Sequence, residues 1–442
     1  MKMYLFSFIG LLLLGLSSIA SFNWLMDPIW IFDSPRYSSL NYHKPEFKKN
    51  LRLAKAQHVR KSKPLALALG SSISETSMDM NNTLWRVPPN RRYNLGIAGA
   101  GIYEQMRYFE HAVTIQKPDV VVLGLSLASF RIRKGPQKDF SHSRLSVDTN
   151  GNGQHLYYLR DLAFSLFTLD SIKKSLTTYN SQGKQPNQYD RNGQRNFEFH
   201  YVRVKQEGFF KFAMKNLNSI MGKRYEFESP DCKQCTTIKY LRKILDISRN
   251  KNIDLKIFIN PAHEWYYSAL IYSNNWEYYE RWLKAVVSEV ENEALEYGGT
   301  PFEIVDFGRK DQYKTEVIPI TNEDKRELLY FWDLTHGRPE LGNKVLEVLL
   351  SESNNGGDKI GHTVLSSTNV DHHLALKLNE YTDSLQQMTP EEKAIFSGVK
   401  QKTSNAFKIN TVNTNVLLNK IKKKQQMINQ EITNNDRLRG NW

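Results

Sequence analysis

Short apolar runs that alternate with helical patterns constrain the fold of this chain more than any other feature. We interpret five runs as strands, at residues 65–69, 92–96, 120–125, 255–259 and 302–307, and the segments 103–113, 238–247, 276–293 and 338–350 as helices. Strands joined through helices run parallel, because each helix carries the chain back to the edge where the preceding strand began. The pattern predicts an α/β fold with a central parallel sheet and helices on both faces.

A serine follows the first run directly, in Gly70-Ser71-Ser72, and an acidic residue and a histidine come much later, in Asp333-Leu334-Thr335-His336. Open α/β sheets bind their ligands at the carboxyl ends of parallel strands. Serine becomes a nucleophile when a base accepts its proton, and a carboxylate orients that base. We therefore predict that Ser72 is a catalytic nucleophile, with His336 as its base and Asp333 as the residue that orients the base.

These residues resemble the sequence blocks of the SGNH (GDSL-like) hydrolase superfamily, which supply Ser, Gly, Asn and His in that order. Ser72 matches the first block, Gly99 the second, and Asp333 with His336 the fourth. The resemblance implies a three-layer α/β/α flavodoxin-like fold and a serine-dependent esterase or O-acyltransferase, for which we expect no cofactor and no metal. Membrane-anchored acyl-transfer proteins of bacterial envelopes, including polysaccharide O-acetyltransferases, are the most similar members.

The third block departs from the family pattern. The family has Gly-x-Asn-Asp, whereas this chain has Gly124-Leu125-Ser126-Leu127, so Ser126 stands where an oxyanion-binding Asn is expected. Loss of one such donor costs roughly 100-fold or more in rate. Two hypotheses therefore remain: an enzyme whose oxyanion is held by the amides of Ser72 and Gly99, with Ser126 as a third donor, or a non-catalytic envelope scaffold that kept the fold.

A second histidine competes with His336 as the base. His263, in Asn260-Pro261-Ala262-His263, follows the strand at 255–259 and so is expected at the same rim of the sheet. The anchored relatives carry a similar Pro-x-His, which implies a substrate-binding residue. The alternative is a solvent-exposed histidine at the start of a helix.

The N-terminus suggests a membrane location. Residues 3–20 are apolar or small, Lys2 precedes them, and the apolar character continues to Met26. The stretch suits a short membrane span, and Ser18-Ile19-Ala20 also fits a signal-peptide cleavage site. We favour an uncleaved anchor with Lys2 on the inside, which would place the catalytic domain in the periplasm or outside the cell. Aromatic residues after it, Trp24 and Trp30 among them, fit either a juxtamembrane segment or an interfacial belt.

The net charge favours anionic partners, and the motifs of nucleic-acid-binding proteins are absent from the sequence. Lys and Arg number 60 against 46 Asp and Glu, which gives a net charge of +14. The sequence has no zinc-finger spacing, aromatic RNA-binding strand or basic heptad region. We predict no nucleic-acid partner. The expected partners are the membrane, an envelope polysaccharide or other acylated glycan, and a membrane protein that donates the acyl group.

The two cysteines, Cys232 and Cys235, form a Cys-x-x-Cys pair. They follow a loop-like segment rather than a strand, which argues against a thioredoxin-type redox motif. Two thiolates without nearby histidines do not complete a structural zinc site. We predict a disulfide, with free thiols as the alternative.

Composition divides the chain into four parts. Residues 131–235 interrupt the α/β pattern and read as an elaboration over the active-site face. Within them, Asp148–Gly153 copies half of a calcium loop, but Leu159 replaces the expected Glu, so we favour a turn. The predicted parts are an anchor or signal at 1–22, a juxtamembrane segment at 23–62, a catalytic domain at 63–352 with the insertion 131–235, and a polar, partly helical appendage at 353–442.

Overall fold

The computed structural model describes residues 2–154, 156–184, 186–229, 232–351 and 360–403, with the side chains of 232–235 left out. The chain is a mixed α/β protein around one mostly parallel sheet, as the strand–helix alternation predicts. The strands are β1 (Ala66–Ser71), β2 (Arg92–Ile97), β3 (Val120–Leu125), β4 (Glu228–Ser229), β5 (Cys232–Thr236), β6 (Asp254–Ile259), β7 (Ile304–Asp306) and β8 (Thr363–Leu365).

The helices comprise one long N-terminal helix and those that surround the sheet. They are α1 (Lys2–Met26), α2 (Leu51–Ser62), α3 (Ser72–Ser77), α4 (Ile102–Ile115), α5 (Tyr157–Phe167), α6 (Leu169–Asn180), α7 (Phe197–Glu207), α8 (Phe209–Met221), α9 (Ile238–Asn250), α10 (Glu264–Tyr272), α11 (Trp276–Tyr297), α12 (Pro339–Leu350) and α13 (Val370–Gln387).

The six-stranded sheet has the order β2-β1-β3-β6-β7-β8. The first five strands are parallel, and β8 pairs antiparallel with β7 at the edge. After β1 the chain adds β2 on one side and then β3 on the other, so the winding direction reverses beside β1. Such a reversal leaves a crevice at the carboxyl ends of the two strands, and that crevice is where open sheets bind ligands.

The insertion divides between two places. Helix α8 borders the crevice at the carboxyl edge of the sheet, in line with the elaboration expected over the active-site face. Helices α5 and α6 instead pack against α1. The Asp148 carboxylate accepts hydrogen bonds from the amides of Asn150 and Asn152, at 2.8 Å each. This loop is therefore a side-chain-capped turn in the structure.

The described part of the tail belongs to the α/β body, which departs from the expected appendage. Strand β8 extends the sheet, and α13 packs on α10 and α11. A further helix begins at residue 390, and Thr389 and Glu392 form the reciprocal capping box that the sequence predicts. Residues 353–358, whose Ser, Asn and Gly content predicts a linker, and residues 412–430, whose apolar spacing predicts a helix, lie outside the described residues.

Helix α1 is long and apolar enough to cross a membrane, and it is the single helix of that kind among the described residues. Its 25 residues rise about 37 Å, more than the roughly 30 Å hydrocarbon core. The segment that follows folds back onto the body: Trp30 is buried against Phe47 and His58. Trp30 is thus a core residue rather than part of an aromatic belt, whereas Trp24 remains exposed.

Candidate active site

The turn from β1 into α3 presents Ser72 at the carboxyl edge of the sheet. Small residues let α3 lie close against the strands: a Cβ at Gly96 would come 2.6 Å from the amide nitrogen of Glu75. A Cβ at Gly70 or Gly124 would overlap the side chain of Ser74. The buried Glu75 carboxylate is ion-paired with the Lys55 ammonium at 3.2 Å, which ties α3 to α2. The position of Ser72 is therefore fixed by packing on both sides.

Ser72, His336 and Asp333 form a hydrogen-bonded chain. The Ser72 hydroxyl lies 2.8 Å from Nε2 of His336, and Nδ1 of His336 lies 2.7 Å from Oδ2 of Asp333. Because a carboxylate accepts but does not donate, Nδ1 carries the proton and Nε2 accepts from the Ser72 hydroxyl. This arrangement gives the hydroxyl a base and the base an orienting carboxylate. The structure brings together all three residues that the sequence singles out as catalytic.

A tight turn holds Asp333 in place. Oδ1 of its carboxylate accepts hydrogen bonds from the amides of Thr335 and His336, both at 2.9 Å. Burial by itself raises the pKa of Asp333, but the His336 ring and these backbone donors outweigh it and lower the pKa. Asp333 therefore remains a carboxylate that can balance a positive charge on His336 during a reaction.

Gly99 and Ser126 line the same cavity as Ser72. Gly99 has a φ of +75°, a backbone conformation that side chains disfavour. The Ser126 hydroxyl lies 3.1 Å from the Ser129 hydroxyl, so it has a partner within its own turn. The structure thus brings both residues to the site, and the Ser126 hydroxyl shares a hydrogen bond with Ser129.

His263 does not reach the cavity. It is fully buried, its Nε2 donates to the carbonyl of Glu316 at 2.8 Å, and its Nδ1 accepts from the amide of Trp265 at 3.2 Å. Burial lowers the pKa of His263 to about 4. It is a neutral cap at the start of α10, which corrects both the substrate-binding role and the solvent-exposed alternative. Its neighbours Pro261 and Ala262 line the cavity instead.

The cavity beside Ser72 has a volume of about 220 Å³. This is below the roughly 300–1,000 Å³ of sites that enclose drug-sized ligands. Buried aromatic side chains form its inner wall, whereas Ser72, His336 and Asn216 lie on its polar side. The aromatic residues of that wall are Tyr225, Tyr266, Tyr267, Tyr279 and Trp282. They enclose a small apolar space rather than an open platform for a sugar ring.

Lys134 also lines the cavity and adds positive charge. Its ammonium donates to the carbonyls of Ala100 and Ala128, at 3.1 and 3.4 Å. Burial lowers the pKa of Lys134 to about 8. Among the described residues there is no group of three or more His, Cys, Asp or Glu side chains placed to hold a metal ion.

Several polar residues of the cavity wall were not found from sequence, among them Asn216, Asn260 and Thr335. The Thr335 hydroxyl donates to Oδ1 of Asn216 at 2.8 Å, so the acid–histidine turn is tied to the insertion helix α8. Asn260 donates to the carbonyl of Leu125 at 2.9 Å. Its position in Asn260-Pro261 after a strand was the only available signal. Nothing in the local sequence around Asn216 marks it.

The side chains of Cys232 and Cys235, for which the sequence predicts a disulfide, lie outside the described part of the chain. The backbone of β5, which carries both, pairs antiparallel with β4.

Comparison with known proteins adds no assignment. No protein-family model matches the sequence, and no curated protein is significantly similar to it.

Proposed function

We propose that this chain is a membrane-anchored serine esterase or O-acyltransferase that works through an acyl-serine intermediate. The observation that carries the proposal is the chain of hydrogen bonds from Ser72 through His336 to Asp333, at 2.8 and 2.7 Å, beside a small cavity. Ion pairs and buried histidines occur elsewhere in the molecule, but this arrangement also presents a hydroxyl at the carboxyl edge of the sheet.

The reaction follows from the hydrogen-bond directions. The Ser72 oxygen attacks the carbonyl carbon of an ester while its proton passes to Nε2 of His336. The alcohol of the ester then leaves with that proton, and the acyl group remains on Ser72. Water or a sugar hydroxyl attacks the acyl-serine next and gives its proton to His336, and Ser72 regains it as the acyl group leaves. Hydrolysis and transfer differ only in that second acceptor.

The parallel part of the sheet supports the SGNH assignment as part of the proposal. Its order, β2-β1-β3-β6-β7, is that of a flavodoxin-like doubly wound sheet, with Ser72 following the strand beside the reversal. Gly99 and Ser126 follow β2 and β3 at the same edge. These positions are where the second and third SGNH blocks would supply oxyanion donors.

The cavity favours a small acyl group. Its inner wall is apolar and aromatic and its volume is about 220 Å³, so the acyl chain of the intermediate fits inside and a glycan acceptor has to remain outside. The remaining parts of the proposal are an envelope polysaccharide as acceptor, a membrane protein as acyl donor, and anchoring through α1 with the domain on the outer side. They rest on the resemblance and on the apolar helix.

Covalent labelling tests the proposal directly. A fluorophosphonate probe should label the full-length protein, and mass spectrometry should find the adduct on Ser72. Ser72→Ala should abolish labelling, whereas Ser71→Ala is the matched control because Ser71 precedes it in β1 and is not part of the hydrogen-bonded chain. His336→Ala should slow labelling by several orders of magnitude. A folded wild-type protein that stays unlabelled would favour the scaffold hypothesis.

A topology reporter tests the location. Fused after Trp442, a reporter that is active only outside the cytoplasm should be active, and the protein should sediment with membranes. A soluble full-length protein in the cytosol would contradict the anchoring.

A further inference from the structure

The helical hairpin made by α5 and α6 has its apolar side chains on the outside. Phe164 on α5 is 56% exposed, and Leu169 on α6 is 77% exposed. The large apolar side chains of the hairpin that are more than 40% exposed are Leu156, Leu159, Phe164, Phe167, Leu169, Leu176 and Tyr179. Contiguous exposed apolar residues on this scale mark contact with another apolar phase.

The most buried side chains of the hairpin belong to small hydroxyl residues. Ser165, Ser171, Ser175 and Thr178 are all less than one-tenth exposed. A helix on a water-soluble surface buries its apolar face and exposes its polar one. Here small hydroxyl side chains are buried and large apolar side chains are exposed beside the charged Arg160, Asp170 and Lys173, an arrangement that suits a helix lying in a membrane interface.

The hydroxyl groups at the bend between α5 and α6 are satisfied internally. The Ser171 and Thr168 hydroxyls both donate to the carbonyl of Phe164, at 2.7 and 2.8 Å. Thr168 also caps α6 by accepting from the amide of Ser171. Such closure of backbone and hydroxyl groups is what a medium of low polarity requires, since water is absent as an alternative partner.

The hairpin lies against the end of α1. The Asn23 side chain donates to the carbonyl of Leu166 at 2.8 Å and accepts from the Ser175 hydroxyl at 2.7 Å. If Lys2 marks one membrane surface, residue 23 is about 31 Å further along the helix, at the opposite surface. The exposed apolar side chains of the hairpin are thus continuous with the exposed apolar surface of α1 at the level of the lipid headgroups.

We infer that the α5–α6 hairpin is a second membrane contact, which inserts its exposed leucine and phenylalanine side chains into the outer part of the bilayer next to the anchor. Arg160 and Lys173 are exposed on the hairpin, where they meet anionic headgroups. The occupant of this surface is lipid, because the surface continues that of a membrane-spanning helix. The inference rests on anchoring by α1, which is part of the proposed function. With two contacts, the body cannot rotate freely about α1, and the active site keeps a fixed orientation to the membrane.

Lipid quenching tests the contact in the full chain. The protein is placed in nanodiscs with one copy per disc, and single cysteines at Phe167→Cys or Leu169→Cys carry an NBD fluorophore. Phosphatidylcholine with a doxyl group near the headgroup should quench both at least about twice as strongly as the control Leu295→Cys. Leu295 is 79% exposed but lies on α11. The unsubstituted protein, treated identically, gives the background from the native cysteines.

A probe in the anchor separates this inference from the proposal on which it rests. Leu12→Cys lies about 15 Å along α1 from Lys2, near the bilayer centre, so it is read with phosphatidylcholine that carries the doxyl group near the end of its acyl chain and reports whether α1 lies in the bilayer. Quenching at residue 12 together with none above the control at residues 167 and 169 would overturn the hairpin contact and leave the anchor standing. Absence of quenching at residue 12 would contradict the anchoring itself. Shielding of residue 169 that occurs only with several copies per disc would replace lipid by a second copy of the chain and overturn the inference.

A triple variant tests the side chains themselves. Phe164→Ser, Phe167→Ser and Leu169→Ser should together reduce quenching of NBD at Leu176→Cys to the level of the control at residue 295. All three side chains are exposed, so the urea midpoint of the variant in detergent should match that of the wild type. Unchanged quenching at residue 176 would show that these side chains do not hold the hairpin in the membrane.

Discussion

Lys377→Met should lower the free energy of unfolding more than any single surface substitution does. Lys377 lies on α13 and is fully buried, and its ammonium donates to Oδ2 of Asp306 at 2.9 Å and to the Tyr279 hydroxyl at 2.6 Å. His373 contacts the same carboxylate oxygen at 2.7 Å. Burial by itself raises the pKa of Asp306, but the Lys377 charge and His373 outweigh it and lower the pKa. The carboxylate at the end of β7 is therefore charged, and Lys377 balances most of that charge.

The loss of unfolding free energy follows from the partners that Asp306 keeps when Lys377 is replaced. Lys377→Met leaves a buried carboxylate whose side-chain oxygens still accept hydrogen bonds from His373 and the amide of Gly308. Breaking a buried ion pair on one side costs about 3–5 kcal/mol. Removing both charges, with Lys377→Met and Asp306→Asn together, should recover most of that loss, since a buried pair is roughly neutral against uncharged replacements. Lys256→Met, which breaks a partly exposed pair with Asp254, should cost at most about 1 kcal/mol.

Urea unfolding at neutral pH measures the wild type, Lys377→Met, Asp306→Asn and the double variant, whose free energies form a double-mutant cycle, together with the control Lys256→Met. Additive effects of the two single changes, or a Lys377→Met protein within about 1 kcal/mol of the wild type, would refute the charge-balancing role. The pH dependence provides a second check. Without Lys377, burial should raise the pKa of Asp306, so the deficit of Lys377→Met should shrink as the pH falls below that value and the carboxyl becomes neutral.

Three further changes give separate expectations. Burial lowers the folded pKa of His263 to about 4 while the unfolded value is about 6.5, so the unfolded chain binds more protons between them. Stability should therefore fall as the pH drops through this range, and His263→Gln should flatten the fall by up to about 1.4 kcal/mol per pH unit in urea titrations; an unchanged slope would contradict the buried neutral state. Gly342→Ala should lower stability by about 1–3 kcal/mol, because the added Cβ overlaps a backbone carbonyl of α3. Gly398→Ala, in open space on a helix, should raise it by up to about 1 kcal/mol, and thermal melts compare the two. Asn216→Ala should slow fluorophosphonate labelling by about 10-fold or more if its amide helps to bind the oxyanion; Asn218→Ala on the same helix is the control, and equal rates would remove Asn216 from the site.

The hydrogen-bonded chain of Ser72, His336 and Asp333 and the central strands could be predicted because their signals are local. Ser72 comes directly after an apolar strand, and the carboxylate that orients His336 lies only three residues from it. Each relation is visible within a few residues of sequence, and the strand–helix alternation then places both segments at one edge of the sheet.

The role of the tail could not be predicted, because its partners are distant in sequence. Lys377 and His373 look like residues of a polar surface helix, and the carboxylate that they contact is 71 and 67 residues away. Strand β8 has only three residues, too few for a periodic pattern. Asn216 meets Thr335 across 119 residues. His263 was misjudged for a related reason: its position after a strand indicates the rim of the sheet, but its side chain turns to cap α10.

Because α13 comes late in the chain, the part of the fold around β7 can be completed only after α13 has been synthesised. Until residue 377 has been made and has docked, Asp306 lacks the ammonium to which it is hydrogen-bonded, and the edge of β7 that β8 later covers stays unpaired. An unpaired strand edge recruits other chains, and contacts between distant segments form slowly. Nascent or truncated chains that stop near residue 352 should therefore resemble late folding intermediates, prone to aggregate even though Ser72, Asp333 and His336 are all present. Expression of the isolated α/β body consequently depends on keeping residues 360–403.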